Sequence, residues 1–426
     1  MRVLLIGSGA REHALASTLA ADPDTRQLIC APGNPGIATL ATIVPLSAAD
    51  PAAMLALAER EAADLTVIGP EAPLAAGVAD AFAAAGRLLV GPTRAAAALE
   101  SSKAFAKDFM VRHGVPTARH RLATSADEAA SIVTSGTFGF PVVLKADGLA
   151  AGKGVVVAPD RSTALAAIRA MMVERRFGDA GSVVVVEEFL AGREASFFAL
   201  TDGVRAVVLP SAEDHKRAFD GDQGPNTGGM GAFAPSPLVD DAMRDRVLTD
   251  IVYPVLEGMR AEGREYRGFL YVGLMITRDG PRVVEFNVRL GDPETQVVLP
   301  LVEGRLLPLL EGAARGRLGA DAVETSGDTL VGVVLASKGY PDRYETGKPI
   351  SGVEEAAAMP GALVFHAGTA MRDGTLVTSG GRVLTVVGRG AGVGEAIAAA
   401  YAACGRITFE GLHMRRDIGA KALEGR

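Results

Sequence analysis

The sequence predicts a mixed α/β protein of several domains, with an α+β portion in its middle. Its 426 residues exceed what one ordinary hydrophobic core accommodates, so we expect about two to four domains. Over residues 1–100, short apolar runs alternate with alanine-rich stretches, which predicts parallel strands joined by crossover helices. Farther along, apolar runs are separated only by glycine-rich bends, which favours antiparallel strands.

The first domain is expected to span residues 1–100 and to contain a Rossmann-like parallel sheet. Its candidate strands are residues 3–6, 27–30, 65–68 and 88–90, and each runs into a glycine or a proline. In a parallel sheet, ligands bind at the carboxyl ends of the strands, where these breakers lie. For any single breaker, a plain turn remains the simpler interpretation.

The middle of the chain is expected to hold a helix and then three antiparallel strands. The helix is predicted over residues 101–113, where Gly114 ends it and Pro116 follows. The strands are predicted at residues 141–145, 155–158 and 182–188, with a glycine-rich loop between the first two. Residues 211–237 are rich in Gly, Pro, Asp and Asn, and predict a long loop that is either functional or disordered.

The last part of the chain, residues 326–426, is expected to form a small C-terminal α/β domain. Its predicted strands include residues 329–336 and 383–387, and an alanine-rich helix is predicted over residues 394–404.

Composition narrows the class of protein. The formal net charge of −7 argues against a nucleic-acid binder that depends on bulk positive charge. The two cysteines, Cys30 and Cys404, are far apart, which disfavours a disulfide framework or a zinc site and fits a reducing cytoplasm. No uncharged apolar run reaches the roughly 18 residues of a membrane span, so a membrane partner is not expected. Because of the negative net charge, a nucleic-acid partner is not expected either.

The first motif, Gly-Ser-Gly-Ala-Arg-Glu at 7–12, begins like a dinucleotide fingerprint. Glu12 stands where the third glycine belongs, and no acidic residue follows the second strand, so a nicotinamide cofactor is disfavoured. What remains is a tight strand-to-helix turn at Gly9 that can hold an anion, with Asn34 expected beside it. A turn-rich loop without a ligand is an equally good interpretation around Asn34.

A glycine-rich loop, Gly-Leu-Ala-Ala-Gly-Lys-Gly at 148–154, lies between two predicted strands. Its glycine spacing and its position differ from those of a P-loop, yet its backbone can fold over a triphosphate. Lys145 ends the preceding apolar strand, and a buried ammonium requires a partner. A nucleotide phosphate would be such a partner, and a structural salt bridge is the alternative.

Two acidic motifs complete the candidate site. Glu187, Glu188, Phe189 and Leu190, with Glu194 beyond, suit an adenosine slot, although surface glutamate pairs are common. Glu285, Asn287 and Arg289 alternate along a predicted strand, so they are expected on one face. Carboxylate and amide oxygens suit Mg²⁺, and an arginine can grip an anion beside the metal. A solvent-exposed strand face is the alternative.

Together these motifs resemble the ATP-grasp superfamily and, within it, the family of phosphoribosylamine–glycine ligases. The resemblance covers the whole chain. Beyond the motifs above, it rests on Pro-Gly-Asn-Pro-Gly at 32–36, Gly-Pro-Glu-Ala-Pro-Leu at 69–74, Phe-Gly-Asp-Ala-Gly at 177–181, Asp-His-Lys-Arg at 214–217, Gly-Pro-Asn-Thr-Gly-Gly-Met-Gly at 224–231, Gly-Asp-Pro-Glu at 291–294, Ser-Gly-Gly-Arg-Val-Leu at 379–384 and Arg-Arg-Asp-Ile-Gly at 415–419.

The resemblance implies a two-part ATP-grasp core over residues 101–325, with a nucleotide lid subdomain at about 116–190. It implies an enzyme that joins glycine to phosphoribosylamine through glycyl phosphate, with ATP as co-substrate and Mg²⁺ or Mn²⁺ as cofactor. The partners it implies are these small molecules, and we expect a monomer.

The resemblance also assigns roles to residues. Its catalytic residues are Arg289, Lys145 and Asp214, and its metal ligands are Glu285 and Asn287. Its ATP-binding residues are Lys103, Lys145, Gly148, Gly152, Lys153, Gly154, Glu187, Glu188, Phe189, Leu190 and Glu194. Its substrate-binding residues are Gly9, Asn34, Glu71, Asp214, Lys216 and Arg289.

The sequence departs from the family's pattern at Glu213, where glutamine is usual, and at Leu290, where many members have phenylalanine. The stretch 270–277 carries no second metal carboxylate, which is expected for this family. Three alternatives stay open: another ATP-grasp carboxylase or formate-using ligase of the same pathway, a nicotinamide-dependent oxidoreductase, and a nucleotide-sensing module without catalysis.

Overall fold

The computed structural model describes residues 1–46, 50–149, 154–319 and 323–423. The strands, numbered in chain order, are β1 (Arg2–Gly7), β2 (Gln27–Pro32), β3 (Thr42–Ile43), β4 (Leu65–Ile68), β5 (Leu89–Val90), β6 (His120–Ala123), β7 (Val142–Ala146), β8 (Val155–Ala158), β9 (Val184–Glu188), β10 (Arg193–Thr201), β11 (Ala206–Asp214), β12 (Arg217–Phe219), β13 (Gln223–Asn226), β14 (Gly231–Ala234), β15 (Gly268–Thr277), β16 (Gly280–Asn287), β17 (Val302–Glu303), β18 (Glu324–Thr325), β19 (Thr329–Ser337), β20 (Ala362–His366), β21 (Thr369–Arg372), β22 (Thr375–Thr378), β23 (Arg382–Gly390) and β24 (Leu412–His413).

The α-helices of the described residues are α1 (Ala10–Ala21), α2 (Pro51–Arg60), α3 (Glu71–Ala75), α4 (Val78–Ala84), α5 (Ala98–Ser101), α6 (Lys103–Arg112), α7 (Ala126–Thr134), α8 (Arg161–Ile168), α9 (Asp241–Val247), α10 (Tyr253–Ala261), α11 (Thr295–Val298), α12 (Leu306–Ala314), α13 (Val353–Ala357) and α14 (Val393–Cys404). Short 3₁₀ or π turns extend or connect several of them. Within these residues, no helix is long and apolar enough to cross a membrane.

The N-terminal sheet is parallel, with the strand order β3-β2-β1-β4-β5, and confirms the predicted strands and their direction. Residues 3–6 of β1 are fully buried, as expected for a parallel strand covered on both faces. The loops after β1, β2 and β4 meet at one edge of the sheet because parallel strands end on the same side. That edge carries Gly9, Asn34 and Glu71.

A second, antiparallel sheet has the order β6-β9-β7-β8, and it confirms the three predicted middle strands. Helix α6 precedes it and begins at Lys103, where the Ser102 hydroxyl accepts a hydrogen bond from the Phe105 N–H. The predicted start at Ser101 is wrong, because that residue ends α5 and the capping serine separates the two helices. Gly114 follows α6 with a φ of +68°, as a helix stop requires.

The largest sheet has the order β16-β15-β10-β11-β14-β19-β23-β20, and β24 pairs with β19. The prediction of one long loop over residues 211–237 is wrong: this stretch contains the end of β11, the hairpin β12–β13, and β14. Strand β14 pairs with β11 on one side and β19 on the other, so strands from the middle and the end of the chain share one sheet. A side chain at Gly231 would collide with the Gly332 carbonyl and Ile418, and this glycine-rich packing hides the strand from sequence patterns.

In the last part of the chain the predicted strands and helix are confirmed as β19, β23 and α14. Helix α14 packs on β23 and β19 through buried alanines, of which Ala396 and Ala400 are fully buried. The antiparallel sheet of β6–β9 has its own apolar core, and its inner face lies opposite the largest sheet across a cleft.

Candidate active site

The cleft between the two antiparallel sheets has a volume of about 590 Å³. Its roof is apolar, with Val143, Val155 and Val157 on β7 and β8. Much of the remaining lining is charged, and most of the predicted site residues belong to it. The predicted residues lining the cleft are Lys145, Glu187, Glu188, Phe189, Leu190, Glu194, Asp214, Lys216, Glu285, Asn287 and Arg289.

Lys145 stands near the end of β7 and is almost completely buried. Its ammonium lies 3.1 Å from Glu187 Oε2 and donates to the Val284 carbonyl at 2.9 Å. Val284 is the extra residue of a β-bulge, since Gly273 pairs with Glu285 and Leu274 with Val283. Lys145 therefore forms the structural salt bridge that was the alternative interpretation, and it also borders the cleft.

The start of α6 is tied to the glycine-rich loop. Asp147 accepts hydrogen bonds from the Ala104 N–H at 3.1 Å and from the Ser102 hydroxyl at 3.3 Å. Lys103 donates to the Gly148 carbonyl at 3.0 Å. Lys103 and Lys145 both border a small cavity of about 60 Å³ behind the main cleft.

The glycine-rich loop itself is described only at its two ends. Gly148 has a φ of +99°, which favours glycine, and the Gly154 carbonyl accepts from the Ala146 N–H at 2.8 Å. Gly152 and Lys153 lie outside the described residues.

The segment at the end of β9, residues 188–190, and Glu194 on the next strand all border the cleft. The Glu188 carboxylate pairs with Arg119 at 2.6 Å, and its charged form is favoured, so its pKa is lowered although burial opposes the shift. Phe189 is exposed and Leu190 borders the cleft. Glu194, on β10, is open to the cleft yet surrounded by protein, and desolvation raises its pKa.

Asp214 and Lys216 form a close ion pair of 2.7 Å in the cleft. Although desolvation opposes it, the neighbouring carboxylates hold the pKa of Lys216 well above its usual range, with Asp214 contributing most. Glu294 lies nearby and is buried, so its pKa is raised. This part of the cleft therefore combines one ammonium with an excess of carboxylates.

Glu285 and Asn287 lie on the cleft side of β16, as their alternation predicts. Within the described residues the Glu285 carboxylate has no hydrogen bond or ion pair, and no three His, Cys, Asp or Glu side chains there are arranged to hold a metal. Two hard oxygen donors on one face fit a divalent cation that takes its remaining ligands from phosphate oxygens and water.

Arg289 lies two residues beyond the end of β16, so the prediction that it belongs to the same strand face is wrong. The chain bends after Asn287 because Glu100 accepts the Val288 N–H at 2.7 Å and draws the backbone toward α5. The guanidinium still returns to the site, where it lies 3.3 Å from Asn287 Oδ1 and 3.1 Å from Glu71 Oε2.

The turn at Gly9 is partly filled by the protein's own carboxylate. Glu12 accepts from the Gly9 N–H at 2.6 Å and caps α1, and its side chain occupies the space that a side chain at Gly69 would need. The Gly9 N–H is thus taken by Glu12, the residue that stands where the third glycine of a dinucleotide fingerprint belongs. Asn34 lies beside the turn as predicted, but its amide donates to the Ser8 and His366 carbonyls, both at 2.8 Å.

Several charged residues around the site were not assigned from the sequence. Glu100 belongs to none of the sequence motifs described above. Asp292 and Glu294 belong to a quoted motif without an assigned role, and Asp292 lies 3.1 Å from Arg382. A side chain at Gly9 would lie 3.6 Å from Asp292 Oδ2, so this segment brings the N-terminal turn to the cleft. Spacing along the chain carries no signal for these long-range contacts.

Two antiparallel sheets that enclose a cleft, with lysines on one side and an acidic strand on the other, define an ATP-grasp enzyme. The chain belongs to the phosphoribosylglycinamide synthetase family, because the models of that family's N domain, ATP-grasp (A) domain and C domain match residues 1–100, 101–295 and 330–421. It is therefore an ATP-dependent ligase.

Relatives and solved structures agree with this membership. The chain is 50% identical over 423 residues to a phosphoribosylamine–glycine ligase of Agrobacterium fabrum, covering 99% of each chain. It is 51% identical over 427 residues to one of Chlorobaculum tepidum, covering 99% of this chain and all of the relative. The crystal structure of a phosphoribosylamine–glycine ligase from Thermotoga maritima matches with a TM-score of 0.86 at 36% identity, covering 98% of this chain and 100% of that one.

The crystal structure of a biotin carboxylase–β-γ-ATP complex from Campylobacter jejuni matches with a TM-score of 0.74 at 16% identity, over 100% of this chain and 95% of that one. At this identity the likeness concerns the fold alone.

Proposed function

We propose that this enzyme joins glycine to 5-phospho-D-ribosylamine, with conversion of ATP to ADP and phosphate, in purine biosynthesis. The observation that carries the proposal is the arrangement of charged side chains in the cleft, in a chain that matches the named ligases over 99% of its residues. Lys145, Glu285, Asn287 and Arg289 line the same cleft, and the Arg289 guanidinium lies 3.3 Å from Asn287 Oδ1.

The chemistry has two steps. A carboxylate oxygen of glycine attacks the γ-phosphorus of ATP, the bond from that phosphorus to the β-bridging oxygen breaks, and ADP leaves. The amine of phosphoribosylamine then attacks the carbonyl carbon of glycyl phosphate, phosphate leaves with the shared oxygen, and the nitrogen loses a proton. Both steps require charge neutralisation and alignment more than covalent catalysis by the protein.

The charged side chains fit these needs. Lys103 and Lys145 hold nucleotide phosphates, and Glu285 and Asn287 hold a divalent cation, Mg²⁺ or Mn²⁺, which supplies further neutralisation of the phosphates. Arg289 steadies the acyl phosphate, since its guanidinium remains charged between two carboxylates. To the glycine-rich loop at 148–154, of which only the two ends lie within the described residues, we assign the role of a lid that would keep water from the reacting groups.

The remaining residues orient the substrates. The backbone of Glu187 to Leu190 borders the adenine, and Glu194 accepts from the ribose hydroxyls. Asp214 and Lys216 hold phosphoribosylamine together with the turn at Gly9 and the segment bearing Glu71. Asn34 acts through this turn, because its side-chain amide is occupied by the two carbonyls.

Glycine-dependent release of ADP tests the function. Freshly prepared phosphoribosylamine and ATP are incubated with the enzyme, with and without glycine, and ADP is measured by a coupled assay. We expect ADP to appear in proportion to amide product only when glycine is present. ADP release that requires bicarbonate or formate instead of glycine would favour another ligase of the pathway. We propose that the enzyme acts as a cytoplasmic monomer on these small molecules, without a nucleic-acid or membrane partner.

A further inference from the structure

A second buried lysine stands behind Lys145. Lys107, on α6, is 2% exposed, and its ammonium lies 3.2 Å from Glu187 Oε2. The same carboxylate oxygen lies 3.1 Å from the ammonium of Lys145. Lys107 also donates to Thr117 Oγ1 at 2.7 Å, and this hydroxyl donates to the Val283 carbonyl. One carboxylate oxygen is thus shared by two ammonium groups that are fixed by separate elements.

The charges of this trio do not cancel. Two ammonium groups and one carboxylate leave one positive charge in a place where unpaired charge is costly. The other oxygen of Glu187, Oε1, is buried and has no hydrogen-bond partner within the described residues. Lys145 borders the large cleft, whereas Lys107 borders only the small cavity behind it. Glu188 acts on Lys107 and Glu194 acts on Lys145 without forming an ion pair in the described structure, so an anion that reaches Lys145 from the cleft would offset the excess charge directly.

Burial also weakens the hold of Lys107 on its proton. Desolvation lowers the pKa of Lys107 to about 8, Glu187 opposes this shift, and Lys145 adds to it. The trio is held together although its net charge is unfavourable, and an anion that reaches Lys145 would relieve this cost.

We propose that Lys107 is a positioning residue for nucleotide binding: by sharing Glu187 with Lys145, it keeps the Lys145 ammonium available to a nucleotide phosphate. Without Lys107, the carboxylate would pair one-to-one with Lys145 and form a neutral pair that an incoming phosphate must break. The inference rests on the proposed role of Lys145 and extends it to a residue that does not touch the nucleotide.

Binding of a non-hydrolysable ATP analogue with Mg²⁺, measured by calorimetry without the other substrates, tests the proposal. Lys107→Met should raise the Kd about tenfold, the effect expected for one nearby charge. Arg112→Met is the matched control, since Arg112 is on the same helix and pairs with Glu262 at the surface. An unchanged Kd in a folded Lys107→Met variant would overturn the proposal.

A charge-restoring double variant separates this electrostatic role from a structural one. Lys107→Met combined with Glu187→Gln returns the trio to one positive charge, so the Kd should move back toward that of the wild type. The Glu187→Gln variant alone completes the cycle. A double variant that binds as weakly as Lys107→Met, or more weakly, would contradict the proposal.

Two further variants keep the outcome interpretable. Lys107→Gln removes the charge but retains a donor for Thr117, so it should show the same loss and serves if the methionine variant does not fold. Lys145→Met tests the underlying role: if it binds the analogue like the wild type, the assignment of Lys145 fails. If Lys145→Met binds weakly and the Lys107 variants bind normally, only the present proposal fails.

Discussion

Arg289 donates to Glu100 across 2.9 Å, from Nη2 to Oε1, and this contact joins the segment that follows β16 to helix α5. The second oxygen of Glu100 accepts the Val288 N–H at 2.7 Å, so one carboxylate fixes both the side chain and the backbone of this segment. Desolvation raises the pKa of Glu100, while Arg289 opposes the shift. Glu100 therefore orients the guanidinium that we assign to the acyl phosphate.

Glu100→Gln should lower kcat by roughly tenfold or more, because a neutral amide holds the guanidinium less firmly. Binding of the ATP analogue should change less than kcat, because Glu100 does not border the main cleft and reaches only the small cavity behind it. Steady-state kinetics and calorimetry measure the two effects. Glu257→Gln, an exposed glutamate of α10, is the control. A loss confined to nucleotide affinity would contradict the proposed role.

Lys145→Met should retain the fold and lose most of the activity, by roughly a hundredfold or more in kcat/KM for ATP, because a methyl thioether cannot offset phosphate charge. Circular dichroism checks the fold. Lys338→Met, at an exposed lysine, is the control. Activity near that of the wild type at saturating ATP would falsify the phosphate-binding role.

Glu285→Gln should raise the Mg²⁺ concentration that gives half-maximal activity by roughly tenfold or more, and lower turnover, since a charged ligand becomes neutral. A Mg²⁺ titration at fixed ATP measures this requirement. The exposed Glu303→Gln variant is the control. If the titration curve of Glu285→Gln matches that of the wild type, Glu285 is not a metal ligand.

A pH effect on stability is expected from His215. Its ring is buried, and neither ring nitrogen has a hydrogen-bond partner within the described residues. Desolvation lowers its pKa from 6.5 to about 4, Lys421 and Arg415 add to the shift, and Asp214 and Asp222 oppose it. As the pH falls below 6.5, the unfolded chain binds a proton that the folded chain resists, so stability is lost until about pH 4.

His215→Leu should reduce this loss, because it removes the group whose protonation is resisted and breaks no hydrogen bond of the described structure. Between pH 6.5 and about pH 4, this single group should lower the free energy of unfolding by about 3 kcal/mol. Thermal unfolding of both proteins, followed from neutral to acid pH, measures the slope. Buried His13 and His366 also have lowered pKa values, so part of the slope should persist. Parallel curves for the two proteins would contradict the assignment to His215.

The elements that the sequence predicted correctly are ones whose pattern is local. The parallel strands, the helix before Gly114 and the cleft-side positions of Glu285 and Asn287 follow from periodicity and from breakers within a few residues. Strand β14 was missed because its neighbourhood is rich in glycine, and its partners β11 and β19 lie far apart in the chain.

The site was predictable only in part, for a similar reason. Lys145 was recognised as a buried charge in an apolar strand. Its partner Glu187, and Lys107, which pairs with the same carboxylate, are brought next to it only when the sheet and helix α6 pack together. Arg289 was placed on a strand that in fact ends before it, since Glu100, 188 residues away, bends the chain there. Such contacts depend on tertiary packing, which single-sequence patterns do not report.

The fate of the carboxylate oxygens of glycine tests the account most directly. Glycine labelled with heavy oxygen in its carboxylate is converted with unlabelled ATP and phosphoribosylamine, and the released phosphate is analysed by mass spectrometry. If glycyl phosphate forms, the attacking oxygen bridges carbon and phosphorus and leaves with phosphate when the amine breaks the carbon–oxygen bond. A parallel reaction in labelled water with unlabelled glycine accounts for hydrolysis. We predict phosphate carrying one labelled atom, with the other retained in the amide; unlabelled phosphate would contradict the acyl phosphate and the role assigned to Arg289.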